Sequence, residues 1–371
     1  MSARITTAEI GIAGALELYT SAAPLRLESG ESLGPVDVAY ETYGSLNAAG
    51  TNAILVCHAL TANAHAAGAH EGNSGWWDGL IGPGKAFDTD RYFVVCANIL
   101  GSCYGTTGPT SIDPRTGRRY GPAFPFVSVR DIVRVQYDLL RHLGVQRLAT
   151  VCGSSLGGMQ VLEWGILFPE FCETIIPISA AARQPAFCIG LNAAARKAIM
   201  NDPTWNNGLY ADQPAEGLAL ARMIGMLSYR SVEEFEERFG QERVNGTPYP
   251  KSRDPFYQVE SYLQHQGQKL AERFDANTYI TLTRATDHHD LTRGRGELVP
   301  LLQSLRVRTL SIGVSSDLRY PSQFQRELAL HIPGAEYAEI RSPHGHDAFL
   351  IEFGQLNTII GTFLSKGEIH D

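Results

Sequence analysis

The first strongly patterned segments of the chain alternate. LRLESG and VDVAYETYG place apolar and polar residues in turn, which predicts an antiparallel start. The pattern then changes to short, continuous apolar runs: AILVCH (53–58), YFVVCAN (92–98), LATVCG (148–153), TIIPISA (174–180) and, far downstream, RTLSIGV (308–314). β-rich runs without alternation predict strands buried on both faces, as in a parallel sheet. Between them, residues 128–143 set Val129, Ile132, Val133, Leu139, Leu140 and Leu143 near helical spacing, with Ser128 as N-cap and Gly144 as the stop. Strands alternating with helices predict a doubly wound α/β sheet. The rhythm breaks from about 183 to 299, where EGLALARMIGMLSY and VESYLQHQGQKLAERF read as helices and no buried strand is legible. The expected division is therefore a sheet core over 1–182 and 300–371, with 183–299 inserted as a helical cap. Such a cap would cover the C-terminal edge of the sheet, where open α/β folds bind ligands.

The chemistry-bearing motif follows the third apolar run. Gly153-Ser154-Ser155-Leu156-Gly157 is a G-x-S-x-G at the junction of a strand and a helix over 156–167, with Pro169 beyond the helix end. This is the context of a nucleophile elbow, in which Ser155 sits on a strained turn and its neighbours must be small. Five-residue matches arise by chance in glycine-rich chains, so the strand, the helix and the partners carry the reading. Ser154, out of register, reads as a small turn residue. The sequence thus predicts an α/β-hydrolase fold with a mostly parallel sheet.

A serine nucleophile needs a base, and this fold orders its triad Ser, Asp or Glu, then His. Asp317 lies just past RTLSIGV, in VSSDLRYP. The run EYAEI predicts one more strand, followed by RSPHGHDAF, where either His344 or His346 could be the base. The HxHD cluster could also hold a metal, but no third ligand is spaced nearby. His142, His265, His331 and His370 read as surface or packing residues; His288 and His289, in DHHD, are ambiguous. The oxyanion hole needs two backbone N–H donors. Leu156 follows the nucleophile and supplies one; Leu60, in the loop after AILVCH, is expected to supply the other. GLIGPGKAF has the glycine and lysine spacing of a phosphate loop, but Ala86 replaces the metal-binding hydroxyl and no strand leads into it. Trp76 and Trp77 could form a substrate platform or simply anchor a loop.

Composition narrows the field. Among 371 residues, 44% are hydrophobic and 19% charged, against about 25% charged in typical domains, and 37 are glycine. That suits a compact enzyme with tight turns. The net charge of -8, with no basic run interleaved with aromatics, argues against a nucleic-acid partner. No apolar stretch is long enough for a membrane span, and the N-terminus lacks the features of a signal peptide. Six scattered cysteines without a CxxC pair fit a reduced, cytoplasmic protein.

Longer segments carry a resemblance. YETYGSLN, CHALTANAHAAG, GWWDGLIGPGKAFDTDRYFVVCANILGSCYGTTGPTSIDP, GSSLGGMQVLEW, ARMIGMLSYRS, FDANTYITLTRATDHHD and GHDAFLIEF together resemble the homoserine O-acyltransferase family nearly end to end. The resemblance implies a transferase acting through an acyl-serine in two half-reactions, with the cap shaping a tunnel that limits hydrolysis. Acyl-CoA and L-homoserine would be substrates, no cofactor or metal would be needed, and the protein would be a homodimer. It implies Ser155 as nucleophile, Asp317 as orienting carboxylate and His346, not His344, as base. Arg222 would hold the amino-acid carboxylate and Asp347 its ammonium group. The implied donor is acetyl-CoA, with succinyl-CoA the alternative. Arg319 stands where acetyl-transferring relatives carry Leu and succinyl-transferring ones carry Arg, whereas TDHHDLTRGRG and MLSYRS resemble the acetyl branch. Arg319 is thus either an acyl-specificity residue or one turned away from the site. A plain carboxylesterase on the same triad, and a catalytically dead scaffold, are the competing readings.

Overall fold

The computed structural model describes residues 16–70, 73–244 and 256–367. Its centre is an eight-stranded sheet. In chain order the strands are β1 (Glu17–Thr20), β2 (Asp37–Tyr43), β3 (Ala53–Cys57), β4 (Phe93–Ala97), β5 (Leu148–Ser154), β6 (Cys172–Ile178), β7 (Arg308–Val314) and β8 (Glu336–Ile340). They lie in the order β1-β2-β4-β3-β5-β6-β7-β8. β1 pairs antiparallel with β2, and β2 with β4; every later pairing is parallel. The expected mostly parallel α/β-hydrolase sheet is present. β3 is buried at every position, because both sheet faces are covered.

The antiparallel start differs in one respect from the sequence reading. The partner of β2 is the short segment Glu17–Thr20, not LRLESG. Leu25–Arg26 instead pairs with Ser32–Leu33 in a separate ribbon. The turn between them forces this: Gly30 takes φ +90° and its N–H bonds back to Leu27 O.

Ten α-helices are assigned among the described residues. α1 (Val129–His142) begins at a capping box, with Ser128 Oγ accepting from the Asp131 N–H and Asp131 accepting from the Ser128 N–H. A cap of this kind stabilises a helix by about 1 kcal/mol. α2 (Leu156–Leu167) is nearly all buried and packs on β5 and β6. Between β6 and β7 come α3 (Ala186–Asn201), α4 (Ala215–Tyr229), α5 (Val232–Arg238), α6 (Gln258–Ala271), α7 (Ala276–Asp287) and α8 (Leu298–Ser304). α4 packs between α3 and α6 and also touches the turn at Gly345–Leu350. α9 (Gln323–His331) and α10 (Phe353–Gly367) complete the fold around β7 and β8. No helix of the described residues is long and apolar enough to cross a membrane.

Candidate active site

Ser155 lies between β5 and α2 with φ 57° and ψ -121°, a backbone state that side chains rarely adopt. The turn is held by the Ser155 N–H bonding to Ile178 O at 3.0 Å and by Met159 N–H returning to Ser155 O at 3.0 Å. The flanking glycines are required sterically. A Cβ on Gly157 would stand 2.0 Å from Cys57 O, and one on Gly153 would stand 2.6 Å from it. As the first residue of α2, Leu156 has no partner for its N–H within the helix, and the positive end of the helix dipole faces the serine.

The opposing loop, after β3, is fixed by a histidine the sequence reading passed over. His58 is fully buried, which lowers its pKa to about 4 and keeps it neutral. Its Nε2 accepts from the Ile99 N–H at 3.1 Å, so Nδ1 donates to Ala59 O at 2.8 Å. This tautomer clamps the carbonyl one residue before Leu60. Among the described residues, no acceptor takes the Leu60 N–H. Further along the loop, His65 Nδ1 bonds Glu41 Oε2 at 3.0 Å, and the Tyr43 hydroxyl donates to the same oxygen at 2.8 Å. Tyr43 also accepts from the Ala66 and Ala67 N–H groups, so the loop wall is tied to β2.

Asp317 follows β7 and His346 follows β8. His346 Nδ1 lies 2.7 Å from Asp317 Oδ2, while Asp317 Oδ1 accepts from the Arg319 and Tyr320 N–H groups at 2.8 and 3.0 Å. Burial opposes ionisation of Asp317, but His346 and these two amides outweigh it and hold the carboxyl below the usual carboxylate range. With Nδ1–H directed at Asp317, Nε2 of His346 is left as the acceptor. His344 points elsewhere, its Nδ1 3.4 Å from Glu234 Oε2. The histidine loop is set by Ser231, whose hydroxyl donates to Pro343 O, and by Gly345. Gly345 takes φ +62°, and a Cβ there would stand 2.6 Å from the Ser231 N.

Ser155 and His346 line one cavity of about 410 Å³, together with Leu60, Arg222, Tyr229, Arg273, Asp347 and Trp76. Asp347 is in an ion pair with Arg230, Oδ2 to Nε at 3.3 Å. Burial raises its pKa, partly offset by Arg230 and Arg222. Arg222 stacks over the Tyr229 ring at 5.1 Å, and that ring stacks on His346 at 6.0 Å with 26° between the planes. Trp76 lines the cavity and donates to Asn63 O, whereas Trp77 is buried and donates to Phe349 O. Arg319 is absent from the lining. It is buried, bonds Ser228 Oγ at 2.8 Å, and lies 5.0 Å from the Tyr229 ring. His289 is also structural, buried and bonded to Ala181 O, with its pKa lowered to about 4 by burial. Ser154 is buried in the strand end, off the cavity.

The comparisons with known proteins agree with this fold. The family model described as alpha/beta hydrolase fold matches residues 52–353. A curated homoserine O-acetyltransferase from Carboxydothermus hydrogenoformans is 48% identical over 350 residues, covering 92% of each chain. The chain belongs to the homoserine O-acetyltransferase family. Within the family, the crystal structure of the homoserine O-acetyltransferase from Bacillus anthracis superposes with a TM-score of 0.88 at 32% identity, covering 94% of this chain and 97% of that one. An enzyme outside it by name, esterase E22, superposes nearly as well, with a TM-score of 0.87 at 30% identity over 94% and 99% of the two chains. The scaffold that family members share is thus also found in a hydrolase.

Two groups of residues in and behind the cavity wall lay beyond the sequence reading. Arg273 carries no motif of its own and Tyr229, within ARMIGMLSYRS, was not singled out; both are recognisable only once α4 and the α6–α7 link meet the sheet edge. His65 had a weak signal, since the CHALTANAH stretch carries two histidines in one loop; its partner Glu41, on β2, was not singled out.

Proposed function

We infer that this protein transfers an acetyl group from acetyl-CoA to the hydroxyl of L-homoserine, through an acyl-enzyme on Ser155. One observation carries the reading beyond a plain hydrolase: the cavity that contains Ser155 and His346 also contains a cation, Arg222, and an anion, Asp347. A free amino acid is a zwitterion and needs both, with arginine offering a planar grip on the carboxylate. A simple ester needs neither.

In the first half-reaction His346 Nε2 takes the Ser155 proton as Oγ attacks the thioester carbonyl. The Leu60 and Leu156 N–H groups hold the oxyanion, and the C–S bond breaks as His346 protonates the departing CoA sulfur. In the second, the homoserine hydroxyl gives its proton to His346 and attacks the acyl-serine. Collapse returns that proton to Ser155 Oγ. Asp317 keeps the imidazole oriented and stabilises its protonated form in both steps. Arg222 and Asp347 place the acceptor so that its hydroxyl, not water, reaches the acyl carbon. Arg319 enters as a support for Tyr229, and its absence from the cavity lining favours acetyl over succinyl as the acyl group. Residues 183–299 act as the cap on this cavity. A homodimer through the cap is supported by Leu220 and Leu227, exposed two turns apart on α4. Six free cysteines fit a reducing compartment, the cytoplasm.

The test is free-thiol release from acetyl-CoA and succinyl-CoA, each with homoserine, serine or water alone. Release from acetyl-CoA that depends on homoserine is expected. Equal release with water alone would favour the esterase reading, which the likeness to E22 keeps in view.

A further inference from the structure

Arg273, in the link between α6 and α7, combines exposure with a fixed position. Its Nη1 donates both to Thr61 O at 2.8 Å and to the Tyr104 hydroxyl at 2.6 Å. The Tyr104 ring is itself buried and packed edge-on against Phe274. One nitrogen makes both anchoring bonds, so Nε and Nη2 remain for a ligand. Among the described residues, no carboxylate forms an ion pair with Arg273 or with Arg222. Both guanidiniums line the cavity, and Arg273 alone is bonded to the Tyr104 phenol. The arrangement is a pair of cations in one cavity, neither of them held in an ion pair among the described residues.

We propose that Arg273, anchored by Thr61 and the Tyr104 hydroxyl, is a second carboxylate-binding arginine of the acceptor subsite, beside Arg222. The proposal rests on the acyl-serine reading above and deepens it. Placement decides which anion is bound. Thr61, whose carbonyl Arg273 holds, is adjacent to Leu60, and two successive residues span at most about 7 Å. The guanidinium therefore sits close to the oxyanion donor, at the range of an amino acid whose side-chain oxygen is reacting. The phosphates of CoA are many more bonds removed from the thioester and would lie farther out. The Arg273–Thr61 bond would also couple acceptor binding to the oxyanion loop, so the carboxylate would be bound beside the group that stabilises the transition state.

The test measures partitioning within a single acyl-enzyme, which removes any effect on acylation rate. The enzyme is acetylated with p-nitrophenyl acetate, and homoserine then competes with 3-amino-1-propanol, the same chain without the carboxylate. The wild type should favour homoserine. Arg273→Met should reduce the product ratio about tenfold or more, as expected for loss of a charged hydrogen-bonded contact. Arg273→Lys should restore part of it, and Tyr104→Phe should lower it less than Arg273→Met. An unchanged ratio in Arg273→Met would overturn the proposal, as would an unchanged ratio accompanied by weaker saturation with acetyl-CoA, which would assign Arg273 to the donor. Absence of any nitrophenol burst in the wild type would be a different failure, that of the acyl-serine itself, and the proposal would fall with it.

Discussion

On the sheet side of the cavity the reacting groups are fully tied down: Asp317 accepts from His346 and two backbone amides, and His58 uses both ring nitrogens to set the loop before Leu60. On the helical side the charges are left open: Arg222 has a ring contact and no ion pair among the described residues, and Arg273 is anchored through one nitrogen only. The difference separates two tasks. Bond making needs dipoles fixed before the substrate arrives, so that no reorganisation is needed in the transition state. Recognition of a carboxylate needs a cation whose charge the ligand completes, since one already paired inside the protein would gain little from it; Asp347, by contrast, is already shared with Arg230.

That contrast can be broken from either side. The largest effect is expected at Gly157. An alanine there would press its Cβ against Cys57 O, so Gly157→Ala should cost about 3 kcal/mol of stability and abolish turnover, read by thermal melting and thiol release. Retained activity would mean that the elbow is not rigid. On the helical side, Arg222→Met should raise the half-saturating homoserine concentration about tenfold to a hundredfold while leaving the nitrophenyl acetate burst intact. Loss of the burst would place Arg222 in the chemistry instead. Arg319→Leu should lower kcat only a few-fold, through the Tyr229 ring, and leave the preference for acetyl-CoA over succinyl-CoA unchanged. A switch of donor would show that Arg319 reaches the acyl group. The smallest effect concerns acid stability. The Asp317 pKa is lowered in the fold, so its contribution is fully present above the unfolded value near pH 4 and is lost as pH falls through the lower folded value. Melting curves taken across that window should fall less steeply for Asp317→Asn than for the wild type.

The two sides also differed in legibility. The elbow could be read because its constraints are local: the strand, the turn and the helix lie within about twenty consecutive residues, and Gly153 and Gly157 have a steric reason to be there. The N-cap of α1 at Ser128 was legible for the same reason, while the reciprocal bond from Asp131 was found only in the structure. Asp317 and His346 were narrowed by chain order, yet the choice of His346 over His344 came from resemblance; the structure places His344 beside Glu234 and His346 beside Asp317. Arg273 was illegible because its meaning lies in partners 212 and 169 residues away, at Thr61 and Tyr104. β1 was missed because four residues, three half-buried and one exposed, carry too little pattern to separate a strand from a loop. Arg319 shows the converse: the sequence marks the position, but only packing shows that the side chain is buried against Ser228 and Tyr229.

The most direct test of the central claim is the intact mass of the protein after brief exposure to acetyl-CoA without acceptor. The account predicts one added acetyl group, absent in Ser155→Ala and discharged when homoserine is added, with O-acetylhomoserine formed in equal amount. An acetyl adduct that survives the Ser155→Ala change, or turnover in that variant at the wild-type rate, would contradict it.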